Sequence, residues 1–139
     1  MATHIEAQIP DALIEHFDTI TLPTGVSVAY PGINFKPTKD EGYVRLQLLK
    51  NEPIQPRIRF GNEPIRQGIF QASVFWPEGA GIIKPSEVAG TIRDAFARGT
   101  KIDGGSFTIR IDQEPTVGSD IQEKAWLQIP VSVPWIVYS

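Results

Sequence analysis

The chain has no cysteine, two histidines and one methionine in 139 residues. Without cysteine there can be no disulfide, no thiolate metal site and no cysteine nucleophile. The histidines, His4 and His16, belong to no H-E-x-x-H motif, so no metal and no cofactor is expected. Excess positive charge is also missing. Thirteen Lys and Arg stand against sixteen Asp and Glu, a net charge of −3, whereas domains that grip nucleic acid are usually basic. Nowhere do eighteen apolar residues follow one another, so no membrane-spanning helix and no membrane partner is expected. The first eighteen residues carry charges throughout and hold no apolar run of signal-peptide length. The expected setting is therefore cytosolic.

Turn formers are plentiful, with 12 Gly and 12 Pro. With 41% hydrophobic residues, a chain of this length forms one domain, residues 1–139, that buries about two-thirds of its surface. Ile5, Ile9, Leu13, Phe17 and Ile20 recur at helical spacing. Thr3 and Glu6 have the form of a capping box, and Pro10 competes with that start. The helix begins near Pro10 or is kinked there, and Pro23 and Gly25 close it. Val26, Val28 and Tyr30 mark a short strand. Val44, Leu46 and Leu48 alternate with Arg45 and Gln47, which predicts a strand with one wet face.

Residues 51–66, NEPIQPRIRFGNEPIR, break every pattern, because three prolines disfavour a central strand. They read as a long protruding loop. Next comes QGIFQASVFW, with Phe70, Ala72, Val74 and Trp76 on one face. Its other face is half apolar, so this strand is expected to be central and covered on both sides. A second helix carries Val88, Ile92 and Phe96, with Ser86 as its cap and Gly99 as its stop. Gly90 inside it costs about 1 kcal/mol relative to Ala. After Gly104-Gly105, Phe107, Ile109 and Ile111 form a strand. The last strand aligns Leu127, Ile129, Val131, Val133, Trp135 and Val137. Pro130 and Pro134 lie on the opposite parity, which predicts an edge strand with a blunted open side. The fold class is α+β: a mixed or mostly antiparallel sheet of about five strands with two helices on one face.

Catalytic motifs are weak. Gly79-Ala80-Gly81 precedes a helix, yet Lys84 stands where a third glycine belongs, and Lys84-Pro85-Ser86 is not a P-loop ending. No serine, Ser73 and Ser86 included, sits in a G-x-S-x-G elbow. Asp112, Glu114, Asp120 and Glu123 cluster near one strand end and read as a solvated face. In the loop, Arg57, Arg59 and Arg66 surround Ile58, Phe60 and Ile65. Arginine and aromatics together are typical of protein interfaces. Arg57, Arg59, Phe60 and Arg66 are the candidate contact residues, the alternative being a loop folded back on its own domain.

The runs YPGINFKP, YVRLQLLKNEP, GIFQASVFWPEGAGIIKPSEVAG and WLQIPVSVPW resemble the tail terminator proteins of long-tailed bacteriophages, also called tail-completion or head–tail joining proteins. The most distinctive stretch runs from Trp76 to Gly90, and the likeness covers about residues 1 to 137. It implies a structural virion protein with no catalytic residues. Such a protein forms a ring, usually of six copies, on the head-proximal end of the tail tube. It stops tube polymerisation and joins the tail to the head connector. Its partners would be itself, the tail tube protein and the head completion protein. DNA would pass through the ring without specific binding. Assembly would occur in the host cytoplasm. Competing readings are another phage neck or tail structural protein, a small hydrolase with a site assembled in space, or a module that binds peptides at a sheet edge.

Overall fold

The computed structural model describes residues 4–37, 41–50, 65–123 and 125–138. Helix α1 spans Ile5–Phe17. Its stripe of Ile9, Leu13 and Phe17 is almost wholly buried, and each such side chain contributes about 1.5–3 kcal/mol. That burial outweighs the roughly 3 kcal/mol cost of Pro10 inside the helix. The helix therefore starts before the proline. Its N-cap is His4, one residue past the position a Thr3 capping box needs. The His4 carbonyl accepts from the N–H groups of Ala7 and Gln8, each at 2.9 Å. The helix closes at Phe17, six residues before Pro23. There the Asp18 N–H bonds the Ile14 carbonyl at 2.9 Å.

The chain continues through β1 (Ser27–Ala29), β2 (Tyr43–Lys50), β3 (Ile65–Pro77), α2 (Ile83–Ala95), β4 (Lys101–Asp103), β5 (Thr108–Arg110), β6 (Thr116–Val117), β7 (Ile121–Glu123) and β8 (Trp126–Tyr138). Among the described residues one sheet holds these eight strands in the order β1-β2-β3-β8-β5-β4, with β6 and β7 also paired to β8. The β1–β2 pair is parallel and every other pair is antiparallel. The α+β class holds, but the sheet is larger than five strands. The extra strands β4, β6 and β7 have only two or three residues, too few for alternation to register in a sequence.

β8 is not an edge strand. It pairs with β3 over its whole length, and on its other side meets β7 at 126–128, β6 at 131–132 and β5 at 136–137. Pro130 and Pro134 fall in the two gaps. The Gly118 N–H donates to the Pro130 carbonyl at 2.8 Å, so both prolines turn their missing donors to this side and leave the β3 ladder intact. The parity argument was sound. Its consequence is a neighbour broken into three short strands rather than an absent one.

One face of the sheet carries both helices. Rows such as Leu48–Phe70–Val133 and Leu46–Ala72–Val131 cross the strands in register. Val88, Ile92 and Phe96 of α2 and the α1 stripe join them in a single core. The Phe70 ring lies 5.4 Å from Phe96 and 6.3 Å from Phe17. Trp76 is half-buried at the margin of this cluster. His16 Nε2 lies 2.7 Å from the Ala95 carbonyl, which ties the ends of the helices together. At α2 the structure corrects two expectations. Ile82 is the N-cap, so Pro85 falls in the first turn, where a missing N–H is harmless, and Ser86 is interior. The helix ends at Ala95. Gly99, at φ +95°, serves the next turn, where its N–H reaches the Ile111 carbonyl at 2.7 Å.

Candidate assembly surface

The face of the sheet away from the helices is built in rows. Tyr43 pairs with Phe75, Gln47 with Gln71 and Ser132, and Leu49 with Ile69 and Pro134. Tyr43 and Phe75 stack at 4.7 Å, with Trp126 edge-on at 5.2 Å and Phe35 at 5.0 Å from Tyr43. Together with Ala29 they make a second small core. The Arg45 guanidinium lies 5.0 Å from the Phe75 ring centre, a cation–π contact at a rim open to solvent. The expectation that β3 is central and covered on both faces holds at this end of the strand.

The predicted contact residues separate. Arg57, Arg59 and Phe60 lie outside the described residues. Arg66 does not belong to the loop: with Ile65 it opens β3, opposite Val137. Its guanidinium is 3.6 Å from the Glu6 carboxylate, which ties the start of β3 to α1. Strand pairing continues two residues further toward the loop than the prolines suggested, because β8 offers partners out to Tyr138.

The weak catalytic motifs acquire ordinary roles. Gly79 and Gly81, both near φ +90°, shape the turn from β3 into α2. Asp112, Glu114 and Asp120 are exposed on the segments around β6. Ser73 is buried on the sheet face turned away from the helices, in register with Arg45 and Pro130. Among the described residues no three His, Asp or Glu side chains form a group that could hold a metal, and no helix is long and apolar enough to cross a membrane.

What the surface does offer is apolar contact. Ile33, Leu49, Ile82, Ile83 and Ile121 are large hydrophobic residues left exposed. Ile82 and Ile83 stand at the start of α2. Ile33 and Leu49 share a groove of about 480 Å³ beside β2. Sequence reasoning missed this groove. Its one signal was Leu48-Leu49, where the alternation of a half-wet strand breaks.

A family model described as phage tail terminator protein matches residues 8–135. A solved structure whose description states no function has 22% sequence identity and a TM-score of 0.80, covering 97% of this chain and 96% of its own. That likeness speaks for the fold. No curated protein matches the sequence.

Proposed function

We propose, from the premise that this chain belongs to the phage tail terminator family, that it caps the head-proximal end of the tail tube, stops tube polymerisation and supplies the surface that joins tail to head. The family is a structural one of the phage tail, and the match over residues 8–135 is the observation that carries the reading. The working form is a ring of six copies with two sticky faces, one for the next subunit and one for the tube. Exposed Ile33, Leu49, Ile82 and Ile83 supply apolar surface of the kind such contacts use. The head connector docks on the far side, and assembly takes place in the host cytoplasm.

At −3 per chain, six copies carry −18. Such a ring lets DNA pass without gripping it, because affinity for DNA comes from neutralised phosphates. Arg57, Arg59, Phe60 and Arg66 are the residues assigned to subunit or tube contact. The test is Arg57→Glu, Arg59→Glu and Phe60→Ser together, which leaves the sheet and both helices untouched. In an infection complementation assay the folded variant should give overgrown tails, or tails unjoined to heads. Normal tail lengths and normal phage yield would move the contact elsewhere.

A further inference from the structure

β4 and β5 set two cations face to face. The Gly104 N–H donates to the Phe107 carbonyl at 2.9 Å and the Ile111 N–H to the Thr100 carbonyl at 3.0 Å. Lys101 and Arg110, which are register partners, therefore occupy a non-hydrogen-bonded position, where Cα atoms stand only about 4.5 Å apart. Both residues are exposed. The next register pair, Ile102 and Ile109, enters the core shared with the helices, so the two cations project from the opposite face of the sheet. Like charges directly opposite each other destabilise a strand pair. Helix α1 does the same with the other sign. Asp11 and Glu15 are exposed and four residues apart, on the side turned away from buried Ile9, Leu13 and Phe17. Like charges at that spacing also cost stability. No Lys or Arg near them in sequence offsets them, Lys36 being the first of the chain.

We propose that the Lys101–Arg110 pair receives the Asp11–Glu15 pair of a neighbouring copy, and that this contact joins subunits head to tail. The inference rests on the ring-forming reading above. The two pairs match in spacing, about 4.5–5.5 Å between Cβ atoms across the strands and about 5–6 Å along the helix. Brought together, two cations and two carboxylates remove both repulsions. Beside the cations, Ile69, Pro134 and Ile136 line a groove of about 280 Å³, and Ile136 is the register partner of Arg110. The groove gives the contact an apolar floor next to its charges.

Charge decides the occupant. Asp103 and Asp112 lie two residues from Lys101 and Arg110 in sequence and are themselves exposed, so the positive patch is narrow. It suits a pair of carboxylates and not the long row of phosphates that DNA presents. Charge also decides the geometry. The basic pair stands on the sheet face and the acidic pair on the outside of the helix layer, so a two-fold contact through either one would set like against like. A head-to-tail contact joins opposite charges, and it closes into a ring when the rotation per subunit allows it.

Charge reversal tests this by complementation. One full-length variant carries Lys101→Glu with Arg110→Glu, and a second carries Asp11→Lys with Glu15→Lys. All four positions are exposed, so both variants should melt close to the parent. Ring formation on purified tail tubes is followed by electron microscopy over a concentration series. Each variant alone sets like charge against like at every contact, and should need about tenfold more protein than the parent, or more still. An equimolar mixture restores opposite charges at every contact of an alternating ring, and should cap tubes at the parent's concentration. Variants that each form rings as readily as the parent overturn the contact and leave the capping function standing. Loss without rescue in the mixture also overturns the pairing of copies and assigns these charges to the tube protein. If the parent forms no rings on the tubes, the function reading falls, and the contact falls with it.

Discussion

Truncating Ile92 to Ala tests the core at its centre. The side chain is fully buried and lies in the cluster that joins α2 to β3 and β8. The change removes three carbons. At about 0.8 kcal/mol per buried carbon the transfer loss alone is about 2.4 kcal/mol. Neighbours such as Phe70 and Phe96, 5.4 Å apart, are themselves packed and collapse only partly, so a cavity cost adds to it. The expected total is about 3–4 kcal/mol, inside the range of 2–5 seen for such truncations. In urea unfolding followed by tryptophan fluorescence, a slope of about 1.5–2 kcal/mol/M lowers the midpoint by about 2 M, with the slope itself unchanged. Gly90→Ala on the same helix is the opposite control. An added Cβ there meets nothing within 4 Å, so the better helix former should raise stability by about 0.5–1 kcal/mol. A loss below 0.5 kcal/mol at Ile92, or a destabilised Gly90→Ala, would refute the assignment of the inner and outer faces of α2.

Gly42→Ala should cost about 1–3 kcal/mol in a thermal melt, because its Cβ would come within about 2.4 Å of the Trp76 ring. An unchanged melting temperature would show that the ring moves freely. The Tyr30 hydroxyl donates to the Asp18 carboxylate at 2.8 Å, and this bond, helped by partial burial and the Asp18 charge, raises the tyrosine pKa above its ordinary 10.0. A raised pKa stabilises the fold at every pH below 10, and that increment is lost as pH climbs through the folded value. Tyr30→Phe should cost about 0.5 kcal/mol at neutral pH, and the gap to the parent should close in alkaline urea titrations. A gap that stays constant to high pH would contradict the bond. Binding to duplex DNA at about 150 mM salt should be no tighter than about 10⁻⁶ M and without sequence preference. Submicromolar binding in a filter or anisotropy assay would contradict the passive-ring reading.

Local periodicity carried a large part of the architecture. Ile9, Leu13 and Phe17, Val88, Ile92 and Phe96, and the alternating residues of β2, β3 and β8 announced two helices and three long strands. Each pattern is the mark of an element with one face in the core. The parity of Pro130 and Pro134 even identified which side of β8 lacks donors. The words shared with tail terminators pointed to the family that the match over residues 8–135 shows. Sequence could not say what fills that side of β8. Strands β5 and β6 find their places by pairing with residues far along the chain, β7 pairs with the residues just after it, and two- or three-residue segments carry too little periodicity to reveal either choice. Helix boundaries also moved, because the burial of Ile9 outweighs Pro10 and because Pro85 is harmless in a first turn. The extent of the β1–β2 pairing was invisible for the same reason: β1 runs parallel beside Tyr43–Arg45 only, and where a neighbouring strand ends is a property of the tertiary path alone.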